Sequence, residues 1–140
     1  MTETQTQART FDRETVTQVL NEVVAEFGEH YVYPRRLDAL GCVYAVASED
    51  DPDEFAPSCI VGQVIARIDP EAFQELGALE ARLGSKTARF VFLDESSPLF
   101  GRTDDLAIVN GLYYAQSEQD LGGTWGDALA RYRYEVDNAA

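Results

Sequence analysis

One stretch limits what this chain can fold into more than any other: Pro57-Ser58-Cys59-Ile60-Val61-Gly62-Gln63-Val64-Ile65-Ala66-Arg67-Ile68. Ile60, Val61, Val64, Ile65 and Ile68 fall at i, i+1, i+4, i+5 and i+8, which on a helix makes one continuous apolar stripe. The stripe is built of β-branched residues, poor helix formers on a surface but acceptable where packing already fixes the side chain. Ser58 has an N-cap's chemistry, since its hydroxyl can accept from a free backbone N–H of the first turn. Gly62 costs about 1 kcal/mol of helix propensity relative to Ala, which predicts that another backbone comes close there. A central buried helix is expected, and the rest of the chain has to pack around it.

Upstream, Asp12 is a suitable N-cap, with Phe11 before it placed to staple onto Val16. Val16, Val19, Leu20, Val23, Val24 and Phe27 then repeat with helical spacing as far as Gly28, the position of a left-handed C-terminal glycine. Residues 1–10 read as a disordered tail and residues 11–140 as a single globular domain, the usual outcome for this length. Tyr31–Tyr33 is β-prone and stopped by Pro34; Arg35–Gly41 reads as a loop. Cys42–Ala47 has the uniform apolarity of a short buried strand. The acidic run Ser48–Glu54, broken by Pro52, shows no periodicity and reads as a solvated loop.

Beyond the central helix, Asp69-Pro70 restarts the chain as a cap followed by proline at the first helical position. Phe73, Leu76, Leu79 and Leu83 carry that helix to Gly84, with a sharp corner between the two helices. Ala88–Leu93 reads as a second buried strand, a helical turn being the other reading. Thr103 is placed to cap a further helix bearing Leu106, Val109, Leu112, Tyr113 and Gln116, ended by Gly122-Gly123. Thr124 and Asp127 make a capping box for a last helix with Trp125, Leu129, Tyr132 and Val136 inward. The expected fold is α+β and predominantly helical. About five helices surround a small sheet of Cys42–Ala47 and Ala88–Leu93, with Tyr31–Tyr33 as a third candidate strand.

Charge narrows the functions. Twenty-five acidic residues face eleven basic ones, a net charge of −14 at pH 7. Direct nucleic-acid binding needs clustered cations to meet phosphates, so it is not expected. Lys86 is the sole lysine, a bias typical of a GC-rich genome or a salt-adapted proteome. No window has the roughly 18 apolar residues of a membrane span, and the polar N-terminus is no secretory signal. The expectation is a soluble, cytoplasmic protein needing no cofactor.

Metal and nucleophile chemistry both have thin candidates. Cys42, Cys59 and His30 fall short of a four-coordinate zinc site without carboxylate help, and no metal site is expected. In a reducing compartment the cysteines read as buried apolar side chains rather than as a disulfide. Cys59 at a helix start feels the positive end of the dipole, as the nucleophile of papain-like cysteine peptidases does. Its base would have to be His30, which precedes it in the chain, so only a permuted arrangement would serve. The tyrosines offer another surface. Tyr114 and Tyr134 sit off the apolar stripes of their helices, and exposed tyrosine beside arginine is typical of protein–protein contacts.

Two segments carry a resemblance: Cys42-Val43-Tyr44 with Pro57-Ser58-Cys59-Ile60-Val61-Gly62, and Ala115-Gln116…Gln119-Asp120 with Gly122-Gly123-Thr124-Trp125-Gly126-Asp127-Ala128-Leu129. Their order and spacing resemble small uncharacterised proteins of actinobacterial phages and prophages, over roughly Tyr31 to Arg131. The resemblance implies a phage origin and transfers no catalytic residue. The expected function is therefore a non-enzymatic phage accessory protein that binds a host or phage protein, with Tyr114 and Tyr134 as anchors. The alternatives are an acidic DNA mimic occupying a nucleic-acid-binding protein and, third, a cysteine-dependent hydrolase using Cys59 and His30.

Overall fold

In the computed structural model, which describes residues 10–34, 43–51 and 53–139, the elements run α1 (Arg13–Phe27), β1 (Ala45–Ala47), β2 (Phe55–Pro57), α2 (Ile60–Ile68), α3 (Pro70–Leu83), α4 (Ala88–Leu93), α5 (Leu106–Asp120) and α6 (Trp125–Asp137). The fold is α+β and predominantly helical, with a small two-stranded antiparallel sheet. Residues 1–9 of the expected N-terminal tail, the loop Arg35–Gly41, Cys42 and Pro52 lie outside the described residues.

α2 is the centre. Ile60, Val61, Val64, Ile65 and Ile68 are all buried, and the helix packs against α1, α3, α5 and β2. The close approach expected at Gly62 is there: a Cβ on this residue would lie 2.3 Å from the carbonyl oxygen of Tyr44. That carbonyl also accepts from the Ser58 amide, and the Cys59 amide donates to Val43. The segment entering β1 thus lies directly across the first turn of α2.

Most helix starts follow their caps. Asp12, Asp69 and Thr124 accept from the third residue of α1, α3 and α6 respectively, and Thr124 with Asp127 completes the capping box in both directions. Gly28 ends α1 with φ +101° and ψ 141°, a positive φ outside the left-handed helical region. Two caps differ from expectation. Cys59, not Ser58, holds the N-cap position of α2, and Ser58 instead hydrogen-bonds the Tyr33 hydroxyl through Oγ. Asp105, not Thr103, caps α5, accepting from Ala107, while Thr103 Oγ1 accepts from the Asp105 amide.

The sheet differs more. β1 pairs with β2 in the register Ala45↔Pro57, Val46↔Ala56 and Ala47↔Phe55, so the acidic run between them is the connection of a hairpin. It is more ordered than a featureless loop: Ser48 donates to Glu54 O, and Asp51 Oδ1 accepts from the Asp53 amide. Ala88–Leu93 is helix α4, not a strand. Thr87 caps it, Ala88, Val91 and Phe92 turn inward at helical spacing, and the side-chain amide of Gln116 accepts from the Ala88 N–H. Among the described residues, Tyr31–Tyr33 joins no sheet beyond one antiparallel bridge from Val32 to Thr124.

Two glutamines on one face of α5 tie the halves of the chain together. Gln119 Oε1 accepts from the Ile60 amide at 2.9 Å and from Trp125 Nε1 at 3.1 Å. Gln116 Oε1 caps α4, and its Nε2 donates to the Tyr44 hydroxyl, which donates in turn to Lys86 O. Burial pushes the Tyr44 phenol far above its ordinary pKa, so it stays a donor. Trp125 is fully buried beneath Phe27, Tyr31 and Tyr33.

Candidate interaction surface

α5 lies between α4 and α6, packing on both. Its fit to α6 depends on Gly111, where a Cβ would lie 2.7 Å from the Tyr132 ring. The ring is buried there, its hydroxyl accepting from Thr17 Oγ1. Two residues further along α5, neighbouring tyrosines are about 100° apart around the helix axis, so one leans toward α4 and the other toward α6.

Arginines close the spaces on either side. The Arg89 guanidinium, from α4, sits 3.9 Å from the centre of the Tyr113 ring and 5.6 Å from that of Tyr114. Arg131, from α6, sits 4.5 Å from Tyr114 and 6.0 Å from Tyr134. Tyr113 and Tyr114 meet edge to face at 5.3 Å. The result is a ladder across three helices, Arg89–Tyr113–Tyr114–Arg131–Tyr134. Each cation–π step is worth about 0.5–1 kcal/mol at an exposed site, so the ladder orders these side chains without burying them. Tyr114 is half-buried and Tyr134 is 61% exposed. Arg89 Nε also donates to Asn110 Oδ1, and Arg131 pairs with Glu135 one turn on.

The two expected anchors, Tyr114 and Tyr134, therefore share one face, joined through Arg131. Sequence alone singles out neither the arginines nor Tyr113 as members of it. Arg131 and Tyr134 stand at i, i+3, a spacing that puts them side by side on α6. Arg89 carries no such signal, because a strand reading of Ala88–Leu93 places it on no helix face.

Cys59 and His30 are not assembled into a pair. Cys59 is fully buried in the core and disulfide-bonded, which corrects the expectation of free, buried cysteines. Cys42, the other cysteine, lies outside the described residues. A disulfide sulfur carries no thiolate to attack a substrate. The His30 side chain is 91% exposed, 3.6 Å from Glu29. It borders a shallow groove of about 600 Å³ with Glu29, Thr124, Asp127 and Arg133. Among the described residues no group of three or more His, Cys, Asp or Glu is placed to hold a metal ion. No helix there is long and apolar enough to cross a membrane. Comparison with protein-family models, curated proteins and solved structures finds no match.

Proposed function

We propose that this chain is a non-enzymatic accessory protein that binds another protein through the face carrying Tyr114 and Tyr134. The observation that carries the reading is the Arg89–Tyr113–Tyr114–Arg131–Tyr134 ladder. Tyrosine and arginine supply large, amphipathic contact area, and they dominate the residues whose truncation costs most at protein interfaces. Side chains already ordered against one another lose less entropy when a partner arrives.

The resemblance of the Cys42–Tyr44, Pro57–Gly62 and Ala115–Leu129 segments to phage and prophage proteins supports an origin in a phage genome and a partner from phage or host. The described residues of those segments lie in the core: Gln116 meets Tyr44 there, and Gln119 meets Ile60 and Trp125. They speak for shared architecture and leave the choice of target to the surface. The proposed compartment is the host cytoplasm.

The test is affinity purification from host cells, with wild-type protein and the Tyr114→Ala and Tyr134→Ala variants side by side. The reading expects a partner that survives raised salt and loses about 2 kcal/mol or more of affinity on either truncation. The rival, an acidic DNA mimic, draws on the −14 charge and the acidic β1–β2 hairpin. A nucleic-acid-binding partner released by moderate salt and displaced by duplex DNA would establish the mimic in its place.

A further inference from the structure

We propose that Arg89 is the seat for a carboxylate of the partner, so that the recognised segment presents an Asp or Glu within a neutral or basic stretch of peptide. The inference deepens the reading of the tyrosine face and rests on it. Acidic side chains outnumber basic ones by more than two to one in this chain, and its arginines are readily paired. Arg13 reaches Asp105, Arg67 reaches Glu26, Arg102 reaches Asp69 and Arg131 reaches Glu135. Arg89 is different. Among the described residues no carboxylate lies within ion-pair distance of it, although it is half-buried and held on two sides.

What holds it leaves its working end free. Nε is spent on Asn110 Oδ1 and the guanidinium plane is spent on Tyr113. Neither contact uses the two terminal amino groups, the fork that grips a carboxylate with parallel N–H···O bonds. A guanidinium already fixed in place loses little further entropy on forming such a pair. The tyrosines beside it supply aromatic area for the residues flanking the carboxylate. Net charge sets the rest of the partner's chemistry. A chain of −14 repels an acidic surface at long range and attracts a basic one. One carboxylate opposite Arg89, set among neutral or basic residues, satisfies both ranges. Single-stranded nucleic acid also favours arginine interleaved with aromatics, but it carries a charge on every nucleotide toward an acidic protein.

A random linear peptide library selected against the folded, full-length protein tests this whatever the partner's identity. The expected peptides carry Asp or Glu beside apolar or basic residues. Their affinity should fall about tenfold or more on Arg89→Gln and recover only in part in Arg89→Lys, which restores charge without the planar fork. Circular dichroism and melting of each variant confirm folding, and Arg89→Lys keeps the test decisive if Arg89→Gln unsettles α4. Peptides that respond to Tyr114→Ala but bind Arg89→Gln unchanged would overturn the carboxylate seat and leave the tyrosine face standing. Peptides indifferent to both changes, an empty selection, or binding of an oligo-dT strand to this face at physiological salt would overturn the two together.

Discussion

At Gly62 a single missing methyl group decides the sign of a mutation. On an exposed helix Gly→Ala gains up to about 1 kcal/mol, yet here the new Cβ would meet the Tyr44 carbonyl at 2.3 Å, and backbone cannot swing aside. Gly62→Ala should therefore destabilise the protein by about 1–3 kcal/mol, as overpacked cores do, measured by urea unfolding. A gain in stability would refute the close approach. Gln119 makes a second residue-scale case. Its Oε1 satisfies two buried donors, Ile60 N and Trp125 Nε1, so Gln119→Leu should cost about 2–5 kcal/mol by leaving both unpaired. A loss under about 1 kcal/mol would mean that water or another acceptor replaces it. The two residues differ in legibility. A glycine inside a β-branched helix announces itself as a local conflict. A glutamine that serves an amide fifty-nine positions away has no local signature at all.

Among the elements, those specified by nearby residues are readable and those specified by distant ones are not. α1, α2, α3, α5 and α6 each show helical apolar spacing over enough turns to exclude a strand. α4 does not: six residues of mostly apolar sequence fit either period, and the choice falls to Thr87 and to Gln116 on another helix. β2 escapes a sequence reading because Phe55–Pro57 is three residues long and contains proline, tolerable only in so short a ladder. Its outer edge is closed by Gln74, whose amide both donates to Phe55 O and accepts from Phe55 N. The joint between α1 and α5 predicts a pH dependence. The Arg13 guanidinium beside Asp105 holds that carboxyl below the usual carboxylate range. A lowered folded pKa contributes stability that is fully present above the unfolded value, about 3.9, and lost as pH falls through the folded one. Asp105→Asn should thus lower the melting temperature at neutral pH, with the deficit closing as the solution is acidified below about pH 4. A deficit independent of pH would assign the loss to the N-cap instead.

For the molecule as a whole, two features stand apart from the hydrophobic pattern that sequence makes visible. One is the bonded state of Cys59, which no spacing of two cysteines could reveal. Denatured but unreduced protein should show no free thiol, and reduction should lower stability by about 2–4 kcal/mol; two reactive thiols in the purified monomer would contradict this. The other is the ladder on α4, α5 and α6. Its tyrosines are legible as side chains off the apolar stripes, but their assembly through Arg89 and Arg131 depends on how three helices pack. The central claim is that this face, and not the acidic hairpin, meets the partner. Photo-cross-linking tests it most directly, with p-benzoylphenylalanine in place of Tyr134 in one protein and in place of Asp50 in another, each expressed in the host. The account predicts one discrete cross-linked species from position 134, abolished by Tyr114→Ala, and none from position 50. Cross-linking from position 50 alone would contradict it and move the contact to the acidic hairpin.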